Sequence, residues 1–277
     1  MQNRITLGFS GDVGAISTRL YNHPECVFPI SVSKDEASGS VTYIDFDTGD
    51  DIFVLDQYVN VLAEYIIERY EPRMLRRILE ENYRELSSLQ KREILKNIEL
   101  FCDDAAIGYR ARKQSVVLSL YDYLAEDSTL LMDGFVAFRL KEYEVLLKTL
   151  AQKLVDHYLT RKEYEEFIAL LKYFVNIQEA RPEKIHILVS ENGGYTLLDE
   201  TGCDITASSF ADFVEGEVLL TEEAYDDLLI SVLITIAPKT ITVHNCLAIK
   251  NHELFSTITR VFDGKVDYCS DCNLCKI

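Results

Sequence analysis

The chain has 277 residues, 48% of them hydrophobic and 27% charged; that is enough apolar material for a sizeable core, and it excludes long disorder. Its 46 acidic residues against 28 basic ones leave a net charge of −18, which repels phosphate backbones and anionic lipid and argues against a nucleic-acid or membrane-surface binder. No secretion signal is visible at the N-terminus, and the longest apolar stretch, residues 228–237, is about half of what spans a bilayer, so the expected compartment is the cytoplasm.

Residues 4–9 read as a strand, followed by the helix-starting residues Ser10 and Asp12 and a short helix over 13–20. Two more strands are expected at 27–32 and 41–47, joined by a polar turn over 34–40. Gly8, Gly11 and Gly14 surround the first strand–helix turn, where backbone amides can meet a phosphate. Their spacing is neither the dinucleotide fingerprint nor the P-loop, so a plain turn is the expected role.

From residue 52 to about 180 the pattern turns helical. Val54, Tyr58, Val61, Leu62, Tyr65 and Ile66 recur at helical spacing, and Pro72 is expected to kink or divide that segment. Ile94, Leu95, Ile98 and Phe101 form a second stripe. Phe135 to Leu154 mark one further helix and Tyr164 to Val175 another, with Thr160 and Glu163 between them fitting a capping box.

Strands return after Pro182. Residues 184–189 and 195–198 read as a hairpin around Asn192–Gly193–Gly194. A helix over 222–236, a strand over 240–247, a helix over 252–261 and a short strand over 265–268 complete the chain. The expected fold is therefore mixed α+β: a small α/β region (1–50), an all-helical middle (51–181), and an α+β region (182–277) ending in a cysteine-rich knuckle. The two mixed ends are candidates to share one sheet.

Cys269, Cys272 and Cys275 form a C-x-x-C-x-x-C run. The chain carries seven cysteines, an odd number, and this trio has the spacing of metal ligands and not of a disulfide framework. Zinc takes four ligands in a tetrahedron and prefers thiolate and imidazole, so a fourth ligand is sought elsewhere. His244 and Cys246 are the first candidates, because residues two apart on a strand share a face and the strand over 265–268 can bring the tail beside them. Cys203 and His252 follow. An iron–sulfur cluster is the competing cofactor, although the fourth Cys followed by Pro of the bacterial ferredoxin run is not present. Thiol–disulfide chemistry and an inert tail are the two other readings.

Other constellations read as structural. Arg73, Arg76 and Arg77 lie at helical spacing beside Glu80 and Glu81, which suits intrahelical pairing; Arg110, Arg112 and Lys113 form a second basic cluster. His157, with Glu163 as a conceivable acid–base partner, suits a helix end. No nucleophile elbow, metalloprotease motif or paired-carboxylate geometry is evident, so no catalytic residue is assigned.

Two stretches, LAQKLVDHYLTRKEYEEFIALLKYFVNIQEARPEKIHIL (150–188) and RVFDGKVDYCSDCNLC (260–275), resemble the YtxC-like sporulation protein family of spore-forming Gram-positive bacteria. The likeness extends loosely over most of the chain and is least distinctive over 1–130. It implies a sporulation setting in the mother cell or forespore and no particular activity, with Cys269, Cys272 and Cys275 matching the family's tail. The expectation is a zinc-type binding or regulatory protein with a protein partner, and without nucleic acid or membrane. An iron–sulfur or thiol redox protein is the alternative, and an enzyme with a pocket in the helical middle the third.

Overall fold

A computed structural model describes residues 4–10, 13–22, 30–34, 41–47, 52–178, 182–191, 194–211 and 222–276. The chain forms two compact units, Met1–Leu159 and Thr160–Ile277. No helix among the described residues is long and apolar enough to cross a membrane.

In the first unit the strands are β1 (Arg4–Ser10), β2 (Ile30–Lys34), β3 (Val41–Asp47) and β4 (Thr129–Leu131). They make a sheet in the order β2-β3-β1-β4, antiparallel except where β4 runs parallel to β1. β1 and β3 alternate apolar and polar, and Ile5, Leu7, Phe9, Ile44 and Phe46 join the core. The helices of this unit are α1 (Gly14–Asn22), α2 (Ile52–Asn82), α3 (Ser88–Leu95), α4 (Tyr109–Glu126) and α5 (Met132–Phe138). Gly11, Asp12, the first residues of the strand expected over 27–32, and the polar turn at 35–40 lie outside the described residues.

Three expectations about the helices need correcting. Of the two effects expected of Pro72, a kink or a division, the division does not occur, since α2 runs through it for 31 residues. The proline sits on the exposed face, where the carbonyl it leaves without a partner can turn to water. The two helices expected on either side of Thr160 are one, α6 (Lys141–Ile177), and Phe135 and Phe138 belong to the separate α5. Nothing between Lys141 and Ile177 is Gly or Pro, so the Thr160/Glu163 pair is read through as helix interior. His157 is therefore exposed in mid-helix, edge-on to Phe101, and not at a helix end. The boundary between the two units falls inside α6, whereas composition marks its change at Pro182.

Of the two basic clusters, Arg77, Arg112 and Lys113 have acidic partners. Arg77 pairs with Glu81 one turn on and with Glu144, Lys113 pairs with Glu64, and Arg112 is buried against Glu71. Ahead of α4, Asp104 takes the amides of Ala106 and Ile107 on one oxygen and Lys153 Nζ on the other, 2.6 Å away. Gly108 closes this loop; a side chain there would meet the Cys102 and Asp104 carbonyls at 2.4 and 2.3 Å. The Lys153 bond first, then the two amides, holds the Asp104 carboxyl at about 2, down from 3.8. Its stabilisation is therefore complete above the ordinary carboxylate range and is lost as pH falls from about 4 towards 2. In acid titrations, Asp104→Asn is expected to be less stable than wild type at neutral pH, with the difference vanishing near pH 2. A gap that stays constant over this range would contradict the assignment.

The second unit holds a separate sheet, so the two mixed ends do not share one. Its strands are β5 (Lys184–Val189), β6 (Tyr195–Leu198), β7 (Thr240–His244) and β8 (Val266–Cys269), in the order β6-β5-β7-β8. β5, β7 and β8 are parallel and β6 is the antiparallel edge. The hairpin β5–β6 forms as expected, though Asn192 and Gly193 of its turn lie outside the described residues. The helices are α7 (Thr206–Ala211), α8 (Glu222–Ile236) and α9 (His252–Val261). Ile185, Ile187, Val189, Ile241 and Val243 face a core with Leu229, Val232 and Leu233 of α8 and Phe255 and Ile258 of α9. With one face of each strand committed to that core, period-two alternation puts His186, Thr242 and His244 on the opposite face. Asn251 caps α9 at the Leu254 amide and donates to Asp226 of α8, which also receives the Tyr195 hydroxyl. Gly264, at φ +72, makes the turn from α9 into β8 and so sets the approach to the cysteines.

Candidate metal centre

The site forms where two neighbouring parallel strands end. β7 closes on His244 and β8 on Cys269, and the two residues are register partners. Adjacent strands stand about 4.8 Å apart, so this pairing alone puts an imidazole beside a thiol. Ligands gather at the carboxyl ends of parallel strands because the chain leaves the sheet there into loops of free design. Beyond Cys269 the tail turns back on itself, and a 3₁₀ turn over Asn273–Lys276 brings Cys275 within reach, its amide donating to the Cys272 carbonyl at 3.0 Å.

The resulting cluster is compact. His244 Nδ1 is 3.2 Å from Cys272 Sγ and 3.6 Å from Cys275 Sγ; Cys275 Sγ lies 3.6 Å from Cys272 Sγ and 3.7 Å from Cys269 Sγ. All four ligand atoms lie within 4.8 Å of one another. A tetrahedral zinc with Zn–S bonds of about 2.3 Å has ligand–ligand edges of about 3.8 Å, close to these separations. His244 is buried and the three cysteines are half-buried.

Asn245 shapes the rim. Its backbone is left-handed, φ 54, a conformation asparagine tolerates better than most residues, and there the strand ends. Its amide donates to Cys275 Sγ at 3.4 Å, and its side chain donates to the Val189 carbonyl at 2.9 Å. The strand expected over 240–247 is therefore three residues too long. Cys246 falls in a short 3₁₀ turn beyond Asn245, off the face that His244 occupies, and is not among the gathered ligands. The structure gathers His244 with the three cysteines and leaves Cys246 outside the group. Cys203 is exposed beside Thr201, and His252 is exposed at the start of α9; neither enters the cluster.

Electrostatics favour a cation. Burial opposes ionisation of Cys275, but hydrogen bonds with the Cys272 backbone, the Asn245 amide, His244 and Cys272 Sγ outweigh it and bring its thiol down from 9.0 to about 6. At Cys269 the Asp271 amide favours the thiolate, yet the bonds to Cys272 and Cys275 prevail and the thiol is raised. Sulfurs this close compete for protons, and a bound cation lets all three be thiolates together.

One member of the site escaped sequence reasoning. His186 on β5 lies with its Nδ1 2.8 Å from His244 Nε2, the rings 5.0 Å apart and tilted by 32°. Burial first, then the neighbouring Lys184 and His244, hold the His186 imidazole below its usual range. Its signal was the lone polar residue of the apolar run Ile185–Leu188, but only the β5–β7 pairing puts it beside His244. In the helical part, a groove is lined by Ser119, Asp122, Tyr123, Glu126, Arg139, Lys141 and Glu142, and Arg139 pairs there with Glu126.

The sequence profile of the YtxC-like family matches residues 56–267. The chain is also 25% identical over 214 residues to a Bacillus subtilis (strain 168) protein described as uncharacterized protein YtxC, a match covering 75% of this chain and 74% of that one. No solved structure matches the chain. The profile takes in His186 and His244 and ends at Asp267, two residues before Cys269.

Proposed function

We propose, for a chain that belongs to the YtxC-like family, a non-enzymatic interaction or regulatory protein whose tail is clamped onto its second sheet by one zinc ion. His244, Cys269, Cys272 and Cys275 are the ligands. The observation that carries this reading is the convergence of four donor atoms, one nitrogen and three sulfurs, within 4.8 Å. A Cys₃His set fills every position of a tetrahedron and leaves none for a substrate, which is the pattern of structural zinc. Thiolates and imidazole also disfavour calcium and magnesium, which take oxygen ligands.

An iron–sulfur cluster fits these distances less well. In a [4Fe–4S] cluster each cysteine binds a different iron, and in a [2Fe–2S] cluster two cysteines bind each iron, so four ligands spread over a wider space than around one ion. The cellular setting is proposed on narrower grounds. Sporulation, in the cytoplasm of the mother cell or forespore, follows from the resemblance of 150–188 and 260–275 to the YtxC-like sporulation proteins. A protein partner suits a closed metal site, and the charge of −18 disfavours nucleic acid and anionic membrane.

Anaerobic purification followed by elemental analysis tests the reading. The expected product is colourless and carries about one equivalent of zinc. A brown protein with iron and labile sulfide would replace zinc with a cluster. Protein that takes up neither metal would remove the metal centre altogether.

A further inference from the structure

Resting on that zinc reading, we infer that His186 is a positioning residue of the metal centre: it accepts the proton of His244 Nε2 and so holds His244 in the tautomer whose Nδ1 lone pair faces the three sulfurs. Two imidazole nitrogens 2.8 Å apart meet through one shared proton, so one ring donates and the other accepts. There are two ways to place it. If His186 donated from its Nδ1, His244 would carry its own proton on Nδ1, the atom 3.2 Å from Cys272 Sγ, and that nitrogen could not bind a metal. If His244 donates from Nε2, its Nδ1 is free to ligate. Metal at Nδ1 and the hydrogen bond at Nε2 therefore support one another, as in the outer-sphere partners of metal-bound histidines.

The scaffold suits this role. His186 and His244 stand on adjacent parallel strands, on one face, with His244 opposite Leu188, two residues along from His186. Five consecutive register pairs fix the two strands against each other. His244 is 3% exposed, so little water competes for its Nε2. Ordering one ring by the other leaves the tail sulfurs to close on a nitrogen already aimed at them.

Competition titration against a zinc chelator, under reducing anaerobic conditions, measures the effect in wild type, His186→Ala and His186→Asn. Asparagine puts its side-chain oxygen where the His186 Nδ1 stands and can accept the same proton. His186→Ala is expected to weaken zinc binding roughly 10- to 100-fold, and His186→Asn to recover most of that loss. Wild-type affinity in His186→Ala overturns the inference and leaves the zinc reading standing; wild type that binds no zinc overturns the reading and the inference with it. Should His186→Ala fail to fold, two-bond ¹H–¹⁵N spectra of the zinc-loaded wild type decide. The expected pattern has the His244 proton on Nε2, and a proton on Nδ1 overturns the inference.

Discussion

Cys272→Ser is expected to release the metal: zinc content should fall from about one equivalent to less than roughly a tenth after dialysis against a chelator. Cys272 occupies the short edge of the cluster, 3.2 Å from His244 Nδ1 and 3.6 Å from Cys275 Sγ. A serine hydroxyl does not ionise in the range where thiols do, so the variant cannot supply the third anionic sulfur. His244→Ala should weaken retention as well, because imidazole is the only non-sulfur member of the gathered set. Cys246→Ser and Cys203→Ser serve as controls and should keep their zinc, since neither sulfur joins the cluster. Full zinc retention in Cys272→Ser would end the proposal, and loss in Cys246→Ser would restore the ligand that the strand argument favoured.

The largest stability effect is expected in the first unit. Glu71 of α2 receives Arg112 Nε of α4 at 2.9 Å and the Tyr143 hydroxyl of α6 on the same oxygen, while Arg112 Nη1 donates to the Ile107 carbonyl at 2.6 Å. Arg112 and Glu71 are 2% and 4% exposed. Burial and the adjacent carboxylate push the Tyr143 phenol far up, so it stays a donor. Glu71→Ala strands a guanidinium in the core and should cost about 3–5 kcal/mol, read as a shift of the urea unfolding midpoint. Glu71→Gln keeps an acceptor and should cost less. The double variant Glu71→Leu/Arg112→Leu should also lose less than Glu71→Ala, because it leaves no unpaired charge. If Glu71→Ala unfolds at the wild-type midpoint, the buried network has no stabilising role.

Much of this architecture is legible in the sequence because it is local. Helices α8 and α9 have the bounds that periodicity and capping predict, and β1 and β3 follow from alternation of apolar residues. The three-residue gaps of Cys269, Cys272 and Cys275 identify most of the gathered donors, since a tight turn is all that is needed to bring them together. His244 follows from the period of a strand, which also predicted Cys246, and there local reasoning failed. One left-handed residue, Asn245, ends the strand and takes Cys246 out of the face. Pro72 and the Thr160/Glu163 pair misled for a related reason. Each is a helix-boundary signal, one that interrupts and one that starts a helix, and surrounding helix formers override both.

Composition, charge, spacing and period thus determined by themselves that this is a mixed α+β protein with a cluster of thiols at its C-terminal end. Tertiary structure alone decided that the strands form two sheets, that His186 backs His244 across 58 residues of sequence, and that Glu71 is matched by Arg112 and Tyr143. The reason is range. Backbone periodicity is set by neighbours within a few positions, whereas a hydrogen bond between distant side chains depends on which strands and helices pack together.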